Sequence, residues 1–166
     1  MTDETLPLLI GASRLLAAVE TLPLRYAPFF DALATLWDMS EPEVVRTLRE
    51  AGKPSTWRRA ALPGVRLVTV TPGPRLRGAE VRLVRFRPGL RFPRHRHDGP
   101  ESLLVLEGRY QDETGRTVGP GERHEMPAGS EHALRVEWGE PCVVATVQFG
   151  MQFTGPVLRA LSRLVR

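Results

Sequence analysis

Apolar residues fall at helical spacing in the first third of the chain and at strand spacing through most of the rest. Leu8, Ala12, Leu15 and Val19 mark one helical stripe, and Phe29, Phe30, Leu33, Leu36 and Trp37 mark a second. Ser40, Glu41, Pro42 and Glu43 then read as a capping box. It opens a helix with Val44, Val45 and Leu48 on its apolar side. Gly52 ends that helix, Pro54 prevents its resumption, and Pro63 and Gly64 make a turn. From residue 65 the pattern shortens into strands separated by glycine and proline: 65–71, 79–87, 90–96, 101–111, 116–118, 123–126, 131–138 and 142–149. Many short strands at close spacing predict a barrel or sandwich. Thr154, Gly155 and Pro156 open a last helix, lined on one side by Val157, Leu158, Leu161, Leu164 and Val165. The chain therefore divides into a helical extension over 1–63, an all-β core over 64–150 and a short helix over 151–166 packed on that core.

Strand 101–107 carries an oddity. Glu101, Leu103 and Val105 share one face, yet Leu104 and Leu106 on the other are apolar too. A strand open to water on its outer side shows polar residues there. Something covers these leucines, and the expectation is a homodimer, with the chain's own helices as the alternative cover.

Composition changes this picture little. The 166 residues suit one domain, and 42% apolar with 25% charged residues is ordinary for a globular protein. The lone cysteine, Cys142, excludes an intrachain disulfide and fits a reducing cytoplasm. Its place at the start of an apolar strand reads as a buried, inert thiol. No basic leader or membrane-length apolar run stands out, so a cytoplasmic protein with no membrane partner is expected. Of the 23 basic residues only Lys53 is lysine, and the net charge is +4. Eight arginines between Arg75 and Arg96 face a single acid, Glu80. No nucleic-acid motif accompanies them, and they read as a solvated basic surface.

The chemistry gathers in two segments, Gly89-x5-His95-x-His97-x3-Glu101-x6-Gly108 and Gly121-x5-Pro127-x-Gly129-x2-His132. On a strand, residues two apart share a face about 6.5–7 Å apart. His95 and His97 thus project into one space while Arg94 and Arg96 point away. Asp98, Gly99 and Pro100 turn the chain so that Glu101 returns on the neighbouring strand, and the turn at Pro127 and Gly129 brings in His132. Three imidazoles and a carboxylate suit Zn, Fe, Mn, Ni or Cu. His124 reads as a surface residue, with a role beside the ligands or in proton transfer as the alternative. Tyr110 and Gln148 are candidates to line the cavity.

These two segments resemble both sequence motifs of the cupin superfamily, which implies a jelly-roll β-barrel. The surrounding sequence is closer still to one branch. Residues 30–57, then Leu62, Pro63, Gly64 and Val65, the histidine motif, Val105 to Gly108, Asp112 to Gly115 and Pro127 to Ser130 with His132 resemble the cupin half of ChrR-type anti-sigma factors. The resemblance implies that His95, His97, Glu101 and His132 are zinc ligands and that the chain is a sensor or regulatory module. That family also carries an N-terminal sigma-binding domain with its own His/Cys zinc site. The first 94 residues here hold neither His nor Cys, so a sigma-factor complex is not expected from this chain alone. Whether the chain is an enzyme stays open: the alternative is a small cupin dioxygenase, or another metalloenzyme with an open coordination site. A barrel binding a small molecule without chemistry is a third reading.

Overall fold

The computed structural model describes residues 24–154. The stripe of Leu8 to Val19 and the helix expected beyond Thr154 lie outside them.

Two helices lead. Helix α1 (Phe30–Trp37) buries Leu33, Leu36 and Trp37, and helix α2 (Glu41–Ala51) buries Val44, Leu48 and Ala51. The expected cap is in place, with the Ser40 amide donating to the Glu43 carboxylate at 2.8 Å. Eleven strands follow: β1 (Arg58–Arg59), β2 (Val65–Thr69), β3 (Glu80–Phe86), β4 (Arg91–His97), β5 (Glu101–Glu107), β6 (Tyr110–Asp112), β7 (Thr117–Val118), β8 (Arg123–Met126), β9 (Glu131–Val136), β10 (Cys142–Gln148) and β11 (Met151–Phe153). One sheet runs β1-β2-β3-β10-β5-β8 and the other β11-β4-β9-β6-β7, with every neighbouring pair antiparallel. From β3 onward the chain keeps crossing between sheets, the jelly-roll arrangement that the cupin motifs imply. No helix among the described residues is long and apolar enough to cross a membrane.

Two cores result. Between the sheets lie Val65, Phe86, Leu103, Val105, Tyr110, Leu134 and Val144. Behind the first sheet, α1 and α2 pack Leu33, Trp37, Val44 and Leu48 onto Val81, Leu83, Leu104, Leu106, Val143 and Ala145. Burying each such side chain contributes about 1.5–3 kcal/mol. With cover on both faces, all seven residues of β10 are buried. Leu104 and Leu106 are 1% and 3% exposed within the single chain. The helices supply the missing cover, and the premise on which a homodimer was expected disappears.

Two of the differences from the expected boundaries fall at glycines. The strand expected over 101–111 breaks into β5 and β6 at Gly108, where φ is +64° and a Cβ would lie 2.4 Å from the Pro141 carbonyl. Gly150, at φ +68°, turns the chain back into β11, which pairs with β4 so that Phe153 lies opposite His95. The chain past residue 150 thus begins as a strand.

Candidate metal centre

The centre forms where the two motifs meet between the sheets. His95 and His97 come from β4, and His132 comes from β9, paired directly opposite His95. The turn at Pro127 and Gly129 is stitched to the first motif: the Gly129 amide donates to the His97 carbonyl at 2.9 Å, and the His97 amide donates to the Ser130 carbonyl at 3.1 Å. Glu101 opens β5, which belongs to the facing sheet. The residue expected on the neighbouring strand thus closes the site from across the barrel. The turn at Asp98 makes this crossing, held by a Gly99 amide bond to the Phe149 carbonyl at 2.7 Å.

Donor atoms of all four residues lie within 4.8 Å of one another. His97 Nε2 is 2.9 Å from His132 Nε2, and Glu101 Oε2 is 3.1 Å from His97 Nε2 and 3.4 Å from His132 Nε2. An ion with bonds of about 2.1 Å spaces its donors about 3.0 Å apart on an octahedral edge and about 3.4 Å on a tetrahedral one. His95 Nδ1 donates to the Pro93 carbonyl at 2.8 Å, which leaves its Nε2 lone pair for the centre. Glu101 Oε2 is buried without a hydrogen-bond partner and faces the His97 and His132 rings, which leaves its lone pairs for a cation. These residues fit a divalent ion.

The electrostatics agree. Burial, then the nearby His132, pushes His95 down from 6.5 to about 4, so the ring is neutral at pH 7 and ready to donate. Burial works to raise the Glu101 carboxyl, yet the His132 and His97 rings beside it hold it down at about 2. The carboxylate therefore stays charged.

Beside the centre lies a cavity of about 340 Å³ that His95, Glu101 and His132 help to line. Its walls are mostly apolar, among them Val84, Phe86, Phe92, Leu103 and Phe153, with Arg59, Arg82, Thr146 and Gln148 among the polar exceptions. Tyr110 and Gln148 do line it, and the Gln148 amide donates to Glu80 at 3.0 Å. Phe92 was not legible as a lining residue. Strict alternation from His95 puts Pro93 inside, but a bulge between Phe92 and His95 resets the phase and sets the two rings 4.9 Å apart, edge to face. Pro93 in mid-strand was the available signal.

His124 is half-buried rather than on an open surface. Its Nδ1 lies 2.8 Å from the Tyr110 hydroxyl and its ring 6.5 Å from that of His132. Burial, then Arg116, lowers its pKa. It is not among the four converging donors. Cys142 is fully buried, and burial pushes its thiol up to about 12, which makes it inert.

A profile of the ChrR cupin-like domain family matches residues 52–150. A crystal structure of Rhodobacter sphaeroides SigE in complex with the anti-sigma ChrR is 32% identical over 55% of this chain and 47% of that chain, with a TM-score of 0.49. The chain thus spans about half the length of that relative. An RmlC-like cupin protein from Ralstonia eutropha JMP134 is 18% identical, covering 61% of this chain and 68% of that one, with a TM-score of 0.54. An acetylacetone dioxygenase from Acinetobacter johnsonii is 12% identical, covering 69% and 89%, with a TM-score of 0.54. At these identities the last two share the fold alone. No curated protein matches the chain.

Proposed function

The chain belongs to the ChrR cupin-like domain family, and from that premise we propose that it is a cytoplasmic metal-binding sensor or regulatory module. His95, His97, Glu101 and His132 hold one divalent ion, zinc first among the candidates. The observation that carries this reading is the convergence of three buried imidazoles on a buried carboxylate whose Oε2 has no hydrogen-bond partner. All four donors come from one chain, so a second copy is not needed to complete the site. A sigma factor is the partner named for the ChrR structure, and it is not proposed for this chain alone.

The cavity supports a second reading, a small dioxygenase or other metalloenzyme. Three of the four donors face that space of about 340 Å³, which would let a ligand approach the ion. When bound, a redox-active ion such as iron would supply the oxygen chemistry. The chain's own part would be to seat an apolar substrate against Phe86, Phe92 and Phe153 and to keep water out.

Metal analysis of protein purified without metal supplementation, followed by an oxygen-uptake screen, separates the two. Firmly held zinc without turnover supports the module. Iron with oxygen consumption supports the enzyme and overturns the module.

A further inference from the structure

The outer face of the first sheet is apolar where α1 and α2 cover it and cationic where they do not. β1 pairs with β2 so that Arg59 stands opposite Arg66, and β2 pairs with β3 so that Arg66 stands opposite Arg85. Three arginines thus form one row across neighbouring strands about 4.8 Å apart. All three are exposed. Strand phase puts the row outside, because the adjacent Val65 and Phe86 belong to the core between the sheets. Arg87 joins them, its side chain lying where a Cβ on Gly64 would sit.

Like charges directly opposite one another on a sheet repel, and nothing among the described residues relieves this row. Among the described residues no carboxylate lies within ion-pair distance of Arg59, Arg66, Arg85 or Arg87, whereas Arg25, Arg75, Arg82, Arg94, Arg116 and Arg123 are each paired. The acid next along the row is Glu107, two strands beyond Arg85. It is already engaged by the Tyr26 hydroxyl and by Arg25 at 3.1 Å.

The four arginines line a groove of about 490 Å³, bounded by Pro63 and Pro88. We infer that this groove is an anion site for a small molecule bearing two or more phosphate or carboxylate groups. Guanidinium forks match the planar oxygens of both groups, and adjacent strands place successive forks within reach of one polyanion. The walls argue against a nucleic-acid strand, which needs aromatic surfaces for its bases. The aromatic residue at this groove, Phe86, is 5% exposed and packs into the interior core. The groove adjoins the cavity beside the metal centre, sharing Arg59, Val65 and Phe86 with it, but none of the four metal donors lines it, so the inference stands independently of the metal reading.

The test is calorimetric titration of the full chain with pyrophosphate and, separately, with tricarballylate, at matched ionic strength. Metal content is measured before and after so that chelation is not mistaken for binding. Arg66→Gln and Arg85→Gln line only this groove and should each weaken binding about tenfold, while Arg46→Gln on α2 should leave it unchanged. Without anion, Arg66→Gln should raise the melting midpoint by about 1–3 °C, because it relieves the repulsion. Binding of either anion with this dependence supports the site and identifies the headgroup it prefers. Failure of both anions to bind at millimolar concentration, or equal affinity in wild type and both groove variants, overturns it.

Discussion

Acid should destabilise the metal-free fold through one ring in particular, His95. In the unfolded chain this imidazole titrates near 6.5, and in the fold burial and His132 bring it to about 4. Between those values the unfolded chain holds the extra proton. Stability therefore falls as pH drops below 6.5, and this group adds no further loss once the folded ring also titrates, below about 4. The gap, at about 1.36 kcal/mol per pH unit, comes to about 3 kcal/mol by pH 4. Glu101 works the other side. Its carboxyl is held at about 2, so it contributes above its ordinary 4.5 and its contribution is lost only as pH falls from there toward 2. The perturbation is His95→Asn, which removes the titrating ring and leaves the surface carboxylates alone. Urea unfolding of chelator-stripped protein, followed by tryptophan fluorescence at pH 7, 5.5 and 4, reads the effect. The wild type should lose about 3 kcal/mol more than the variant over that range. Parallel curves for the two proteins would refute the reasoning.

Other outcomes follow from the same geometry. Leu104→Ala, at a site 1% exposed beneath the helices, should cost about 2–5 kcal/mol in urea unfolding; a loss under about 1 kcal/mol would mean that the helices do not pack as described. Cys142 should resist alkylation in the folded protein and react fully once unfolded, since burial holds its thiol at about 12; rapid labelling under native conditions would contradict its burial. Co-expression with a sigma factor should give no stable complex, and co-purification at comparable stoichiometry would contradict that.

The local rules were legible in the sequence, and the long-range placements were not. Ser40 and Glu43 announce α2 because a cap needs only neighbours, and the His95–His97 spacing announces a shared face because alternation is local. Glu101 was recognisable as a candidate site residue, but its place on the opposite sheet depends on how the whole barrel closes. Leu104 and Leu106 told correctly that β5 is covered on both sides, yet alternation carries no information about which segment does the covering. Phe92 escaped because a bulge breaks the parity on which the inference rests. The pairing of His124 with Tyr110 escaped because it joins strands of different sheets. The arginine row shows the same limit: Arg59, Arg66 and Arg85 are scattered in sequence and become neighbours only through strand register.

The central claim is that His95, His97, Glu101 and His132 form one metal centre. Elemental analysis of the purified chain, beside a variant carrying His97→Ala and His132→Ala together, tests it most directly. The wild type should hold about one divalent ion per chain, and the double variant, stripped of the two donors that meet at 2.9 Å, should hold none. Full metal occupancy in the double variant, or a wild-type chain that cannot be loaded with any of the candidate ions, would contradict it.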